Sequence, residues 1–154
     1  VFLNHLKQKT KEYGVEDRVQ FFVNLPFPEI MKVFERAKFA IHTMNAEHFG
    51  IAIVELIASG MITIAHNSAG PKFDIIKERS QPVGFLGITE DDYVEAILSC
   101  HQPSQEAYCK SIVSRGREEM KKFSDENFKL NFINDFKPEF ARSLETFRTH
   151  HKIN

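Results

Sequence analysis

Glu47 and Glu55 stand eight positions apart within the run His42 to Gly60, HTMNAEHFGIAIVELIASG. Glu47 lies in a short polar loop, and Glu55 lies inside an apolar run that reads as a helix opened by Gly50 and closed by Gly60. The first N–H groups of a helix have no partner within it, and the helix dipole adds positive potential there. A loop feeding such a terminus is a ready anion site. Diphosphate oxygens there would accept hydrogen bonds from the backbone of about Gly50 to Ala52, and Gly50, with no side chain, would let a ligand approach closely. Glu47, beside His48 and ahead of Phe49, would then reach past the phosphates to sugar hydroxyls. Its other reading is an ordinary acid near a helix N-terminus, favoured by the same dipole.

Glu55 poses a sharper question. Ile51, Ala52, Ile53, Val54, Leu56, Ile57 and Ala58 make the helix apolar on nearly every side, and such a helix is normally buried. A glutamate within it is costly unless something satisfies it. Its helical neighbours Ala52, Ala58 and Ser59 are small and would leave a groove over the carboxylate. A carboxylate with room above it suits a pair of hydroxyls, such as a ribose diol. Two other arrangements fit the same periodicity: exposure on a narrow face, or pairing with a lysine.

The elements that position these residues follow from apolar periodicity. Residues 1–13 carry a weak helical pattern that Gly14 can end. Val19 to Val23 reads as a strand, Asn24 to Phe27 as a turn, and a helix runs from Pro28 to about Lys38. Phe39 to His42 is a second strand and Met61 to Ala65 a third, on either side of the central helix. A short helix follows Pro71 towards Lys77, and Gly84 to Leu86 is a short strand. Thr89 with Asp91 and Asp92 starts a helix. A charged helix over 104–122 is expected to break near Gly116. Another begins at Ser124 and stops at Pro138, before a last helix over 139–149.

Strand–helix–strand order with short loops implies parallel strands and right-handed crossovers, hence an α/β, Rossmann-like sheet with flanking helices. Ligands in such sheets sit at the strand C-termini. The loops from Asn24, Thr43 and His66 therefore share one edge. The domain organisation expected is a single partial domain over 1–154: a Rossmann-like part over 1–136, then a C-terminal helix and tail over 137–154.

Composition removes other classes. The 154 residues can bury a real core, and a net charge of −1 supplies no field for nucleic acid or membrane. No run reaches the ~18 apolar residues of a membrane span, and no signal peptide is recognisable. Cys100 and Cys109 read as free thiols in a reducing compartment. His5, His101, His150 and His151 are scattered and suit no metal site; His42 and His66 end adjacent strands and either edge the site or pack.

The run Glu47-His48-Phe49-Gly50-Ile51-Ala52-Ile53-Val54-Glu55, followed by Ala58-x-Gly60, resembles the E-x7-E signature of family 4 retaining glycosyltransferases. Within that family, His42-Thr43-Met44, Glu47-His48-Phe49-Gly50, and Ala65 to Ser68 with Gly70-Pro71-Lys72 resemble the GDP-mannose-dependent α-1,2-mannosyltransferases of the dolichol pathway. The resemblance covers about residues 10–130. It implies a GT-B fold, of which this chain would be part of the C-terminal, donor-binding domain.

By this resemblance, Glu47 contacts the donor sugar and is the catalytic candidate, and Glu55 binds the nucleotide ribose. The backbone from Phe49 to Ile51, beside His48, holds the diphosphate. Asn24 and Leu25 lie along the base, and Lys72 is a phosphate or acceptor contact, or else a plain surface lysine. Ala69 departs from the pattern, standing where a glycine is usual. The donor would be GDP-mannose, with no metal or other cofactor: the GT-B family needs no metal for donor binding, and no Asp-x-Asp motif occurs. The acceptor would be a dolichol-diphosphate-linked oligosaccharide on the cytosolic face of the endoplasmic reticulum membrane.

An arginine and a lysine that neutralise the diphosphate, the first strands and an N-terminal domain that holds the acceptor and meets the membrane are expected upstream of Val1. This chain alone is therefore expected to be soluble and inactive. Two other readings stay open: a family 4 transferase with another sugar or nucleotide, and a non-catalytic nucleotide-binding or interaction module. Nucleic acid is not an expected partner, because no basic stripe with aromatics occurs.

Overall fold

A computed structural model describes residues 2–76 and 81–151. The chain divides into two compact units, Val1–Val33 and Phe34–Asn154. In the first, α1 spans Phe2–Glu12 and ends where Gly14 takes a φ of 62°. Lys7 Nζ lies 5.9 Å from the centre of the Phe21 ring. Helix α2, Phe27–Phe34, starts on Pro26, whose carbonyl accepts from Glu29 and Ile30 N–H.

The strand expected over Val19 to Val23 is absent. A strand exists only where a neighbour completes its backbone ladder, and the sheet contains β1, β2 and β3 alone among the described residues. Val19, Phe22 and Val23 stay exposed.

The second unit is built on that sheet: β1 (Phe39–His42), β2 (Ile62–His66) and β3 (Phe85–Gly87), parallel, in the order β1-β2-β3. Ile62, Thr63, Ile64 and Ala65 are buried, so the central strand is covered on both faces, as a parallel strand requires. Side chains alternate across it. Ala65 joins Ile53, Val54 and Ile57 of α3 (Ile51–Ser59), together with Ile75, Ile76 and Met120. Ile64 meets Tyr93 and Ala96 of α4 (Glu90–Ser99) on the other face.

The sequence signals for α4 act as expected. Thr89 Oγ1 accepts from Asp92 N–H, and Asp92 Oδ2 accepts from the N–H groups of Ile88 and Thr89 at 2.8 Å each. These backbone hydrogen bonds hold the Asp92 carboxyl below its ordinary pKa. The expected helix after Pro71 is a short wide turn over Pro71–Ile75, and Lys77 lies outside the described residues.

Two expected breaks do not occur. Helix α5 runs unbroken over Glu106–Met120, because Gly116 is a crossing point rather than a terminator. A Cβ there would come 2.7 Å from Ile57 Cγ2, so the missing side chain lets α5 close onto α3. Helix α6 spans Asp125–His151 with Pro138 inside it. Proline removes one N–H and crowds the carbonyl four residues back, yet the rings of Phe128, Phe132, Phe136 and Phe140 stack in series past it, 5.1–6.4 Å apart. The tail beyond His151 lies outside the described residues, as do the side chains of His150 and His151.

Gly116 gives a direct test of this packing. Alanine improves helix propensity by about 1 kcal/mol, but overpacking costs about 1–3 kcal/mol. Gly116→Ala is expected to destabilise the chain by about 1 kcal/mol, read as a lower urea midpoint at unchanged slope.

Candidate functional site

The polar loops after β1 and β2 meet at the N-terminus of α3. Gly50 caps that helix in the left-handed region, at φ 96° and ψ 54°, a conformation that glycine adopts without penalty. Its carbonyl accepts from Ile53 and Val54 N–H at 2.9 and 3.2 Å, and no side chain occupies the cap. The terminus therefore keeps the partner-seeking N–H groups that open every helix. Gly50 does not, however, open a path for ligand on its own side. A Cβ there would lie 3.0 Å from Ile53 Cδ1 and 3.3 Å from Glu47 Cγ, so protein already fills that space. Its glycine is required for backbone conformation and packing.

The two loops are locked together. Gly70 N–H donates to the Glu47 carbonyl at 3.0 Å, and Ala46 N–H donates to Ser68 Oγ at 2.9 Å. Ser68 Oγ also lies 2.9 Å from His66 Nδ1. Gly70 packs so tightly that a Cβ would stand 2.4 Å from the carbonyl oxygens of both His48 and Phe49. Ser68 was not a candidate from sequence. The available signal was a serine in a turn-rich loop, a residue type that bonds local backbone. Ala69, at φ 41°, occupies a region that an L-residue reaches only with strain, which explains why glycine would suit it.

Glu47 is half-buried, and its Oε2 lies 3.9 Å from His42 Nε2, beyond hydrogen-bond reach. The carboxylate is therefore poised beside an imidazole without being consumed by it. His42 Nδ1 and Asn67 Oδ1 are buried with no hydrogen-bond partner, at the C-terminal ends of adjacent strands. Buried polar atoms are nearly always paired, so two orphans at one sheet edge mark a place that something polar completes.

Glu55 corrects the expectation of a wholly buried helix. Ile53, Val54 and Ile57 are buried, but Ile51, Ala52, Glu55 and Ala58 form an exposed face. The carboxylate escapes the desolvation that an interior position would impose, and the flanking alanines leave it accessible. It lies one turn, about 6 Å by helix rise, beyond Ile51.

Phe49 stacks edge-on against Phe123 at 5.2 Å, and with Ile51 it walls a groove of about 640 Å³ shared with Lys122, Phe128 and Phe132. His48 is exposed. Lys72 Nζ lies 5.7 Å from the centre of the Phe73 ring. Asn24, at φ 53°, and Leu25 form the turn before α2 in the first unit; the site described here is built from second-unit residues alone. No cluster of three metal-ligating side chains occurs among the described residues.

Known structures share this fold. Sucrose-phosphate synthase from Thermosynechococcus elongatus aligns with 90% of the chain and 34% of its own, at TM-score 0.71 and 21% identity. The C-terminal domain of a glycosyl transferase group 1 family protein from Francisella tularensis aligns with 76% of the chain and 59% of its own, at TM-score 0.57 and 23% identity. The fold is thus that of the GT-B glycosyltransferases. Residues 2–118 match the family described as glycosyl transferases group 1, and the chain belongs to that family.

Its curated relatives include proteins named GDP-Man:Man(3)GlcNAc(2)-PP-Dol alpha-1,2-mannosyltransferase. The Xenopus laevis protein is 42% identical over 142 residues, covering 90% of this chain and 28% of its own length. The human protein is 38% identical over 132 residues, covering 85% and 27%. The Dictyostelium discoideum protein is 37% identical over 144 residues, covering 92% and 27%. The chain thus spans just over a quarter of the length of these relatives.

The loop lock predicts opposite effects at adjacent positions. Gly70→Ala drives a methyl into two backbone carbonyls and is expected to destabilise by about 2–3 kcal/mol. Ala69→Gly relieves left-handed strain and is expected to stabilise by about 1 kcal/mol. Thermal midpoints of the two variants check the pair.

Proposed function

We propose that this chain is the donor-binding part of a retaining mannosyltransferase. The enzyme moves mannose from GDP-mannose to a dolichol-diphosphate-linked oligosaccharide, forming an α-1,2 linkage. The observation that carries the reading is the uncapped N-terminus of α3, flanked by Glu47 in the preceding loop and Glu55 on its exposed face. The names of the curated relatives supply the donor and the acceptor.

In this reading the diphosphate rests on the N–H groups around Phe49 to Ile51, where the helix dipole favours negative charge. Glu47 accepts hydrogen bonds from mannose hydroxyls and orients the sugar. Glu55 accepts from the ribose diol one turn along α3. His48 flanks the phosphates, and Lys72 contacts phosphate or acceptor. As the glycosidic bond breaks, charge grows on the β-phosphate, and donors already fixed in place stabilise it without reorganising. Helix dipole and cations meet that charge, so no metal or other cofactor takes part. The N-terminal part of the protein holds the lipid-linked acceptor and meets the membrane, on the cytosolic face of the endoplasmic reticulum. Among the described residues of this chain, no helix is long and apolar enough to cross a membrane.

Kinetics of the intact enzyme test the division of roles. Glu47→Ala is expected to lower kcat by about 100-fold or more, as for loss of a group that acts in the transition state. Glu55→Ala is expected to act mainly through KM for the donor, with kcat largely kept. Unchanged turnover in Glu47→Ala would remove Glu47 from the site, and a panel of UDP and GDP sugars checks the donor.

A further inference from the structure

The two thiols lie apart from the candidate site and close to one another. Cys100 caps the C-terminus of α4, and Cys109 lies in the first turns of α5. Both are free, only 4% and 5% exposed, and share one cluster with Ile62 of β2. Both also line the wall of a pocket of about 510 Å³, together with Lys38, His101, Glu106 and Lys110. The pocket gives a small solute access to sulfurs that are otherwise covered.

We propose that Cys100 and Cys109 form an intramolecular redox pair that closes to a disulfide when a peroxide enters this pocket. One thiolate attacks the peroxide O–O bond, giving a sulfenic acid and, after protonation, one water. The second thiol attacks that sulfur, the S–S bond forms, and the sulfenic oxygen leaves with two protons as a second water. Two thiols and one peroxide thus become one disulfide and two waters, with the two electrons lost by sulfur taken up by peroxide oxygen.

The surroundings set the rate. Burial, then the neighbouring Cys100 side chain, pushes the Cys109 thiol up to about 11, while Lys38 works the other way. Cys109 thiolate is scarce at neutral pH, so attack by Cys109 is slow there and quickens as pH rises. The bond would tie the end of α4 to α5, the helix that supports α3 through Gly116.

The test is intact-mass and thiol analysis of the purified chain after hydrogen peroxide treatment at mildly alkaline pH. The expected product has lost two hydrogens. After denaturation both cysteines resist maleimide until dithiothreitol restores them, and peptide mapping finds Cys100 joined to Cys109. In Cys109→Ala the reaction is expected to stop at a dimedone-reactive sulfenic acid on Cys100. Two maleimide-reactive thiols after treatment, separate sulfinic acids or cross-links only between molecules would each overturn the proposal. Mapping of the unaltered chain decides the point even if the variant fails to fold.

Discussion

The site depends on one steric contact: Gly70 packs without a side chain against the carbonyl oxygens of His48 and Phe49. That contact lets Gly70 N–H reach the Glu47 carbonyl and brings Ser68 Oγ under Ala46 N–H. With the loop fixed at both ends, Gly50 is held in its left-handed turn and α3 begins without a side-chain cap. In the proposed function this uncapped helix start, in a hydrogen-bonded loop, serves as the anion cradle, because its N–H groups are oriented before any ligand arrives. Strain at Ala69 accompanies the same closure, as strained backbone often does beside functional loops.

The rest of the second unit keeps α3 where that loop needs it. Its inner face joins Ala65 of β2 and Ile75, while its opposite end is held by Arg117, whose Nη2 donates to the Ser59 carbonyl at 2.8 Å. A guanidinium at the helix C-terminus satisfies an orphan carbonyl and complements the dipole. Gly116 lets α5 approach closely enough for this. One helix is thus pinned by apolar burial, by a cation at its C-terminus and by a glycine-locked loop at its N-terminus. Its outward face, with Glu55 between Ala52 and Ala58, remains open.

Much of this was legible in the sequence because it rests on local signals. Gly50 and Gly60 bracket α3, short apolar runs mark β1, β2 and β3, and Thr89 with Asp92 marks the start of α4. What stayed hidden depends on partners distant in sequence. Val19 to Val23 has strand composition but no ladder partner among the described residues. Gly116 looks like a helix breaker until Ile57 is seen against it. Pro138 looks like a stop, but the phenylalanine stack continues on both sides of it. The apolar neighbours of Glu55 suggest a helix buried all round, whereas Ile51, Ala52 and Ala58 share its exposed face. Periodicity cannot tell that the small alanines face outward, since alanine suits either environment. The pairing of Cys100 with Cys109 is likewise a property of how α4 meets α5, and nine residues of spacing do not reveal it.

The claim that the α3 N-terminus is the diphosphate end of a donor site is tested most directly by amide chemical shifts during titration with GDP. Guanosine, which lacks phosphate, is the control. The account predicts that GDP moves the Gly50, Ile51 and Ala52 amides most, that guanosine leaves them nearly still, and that both ligands perturb the neighbourhood of Glu55. GDP shifts that bypass residues 49–52 while appearing elsewhere on the chain would contradict it.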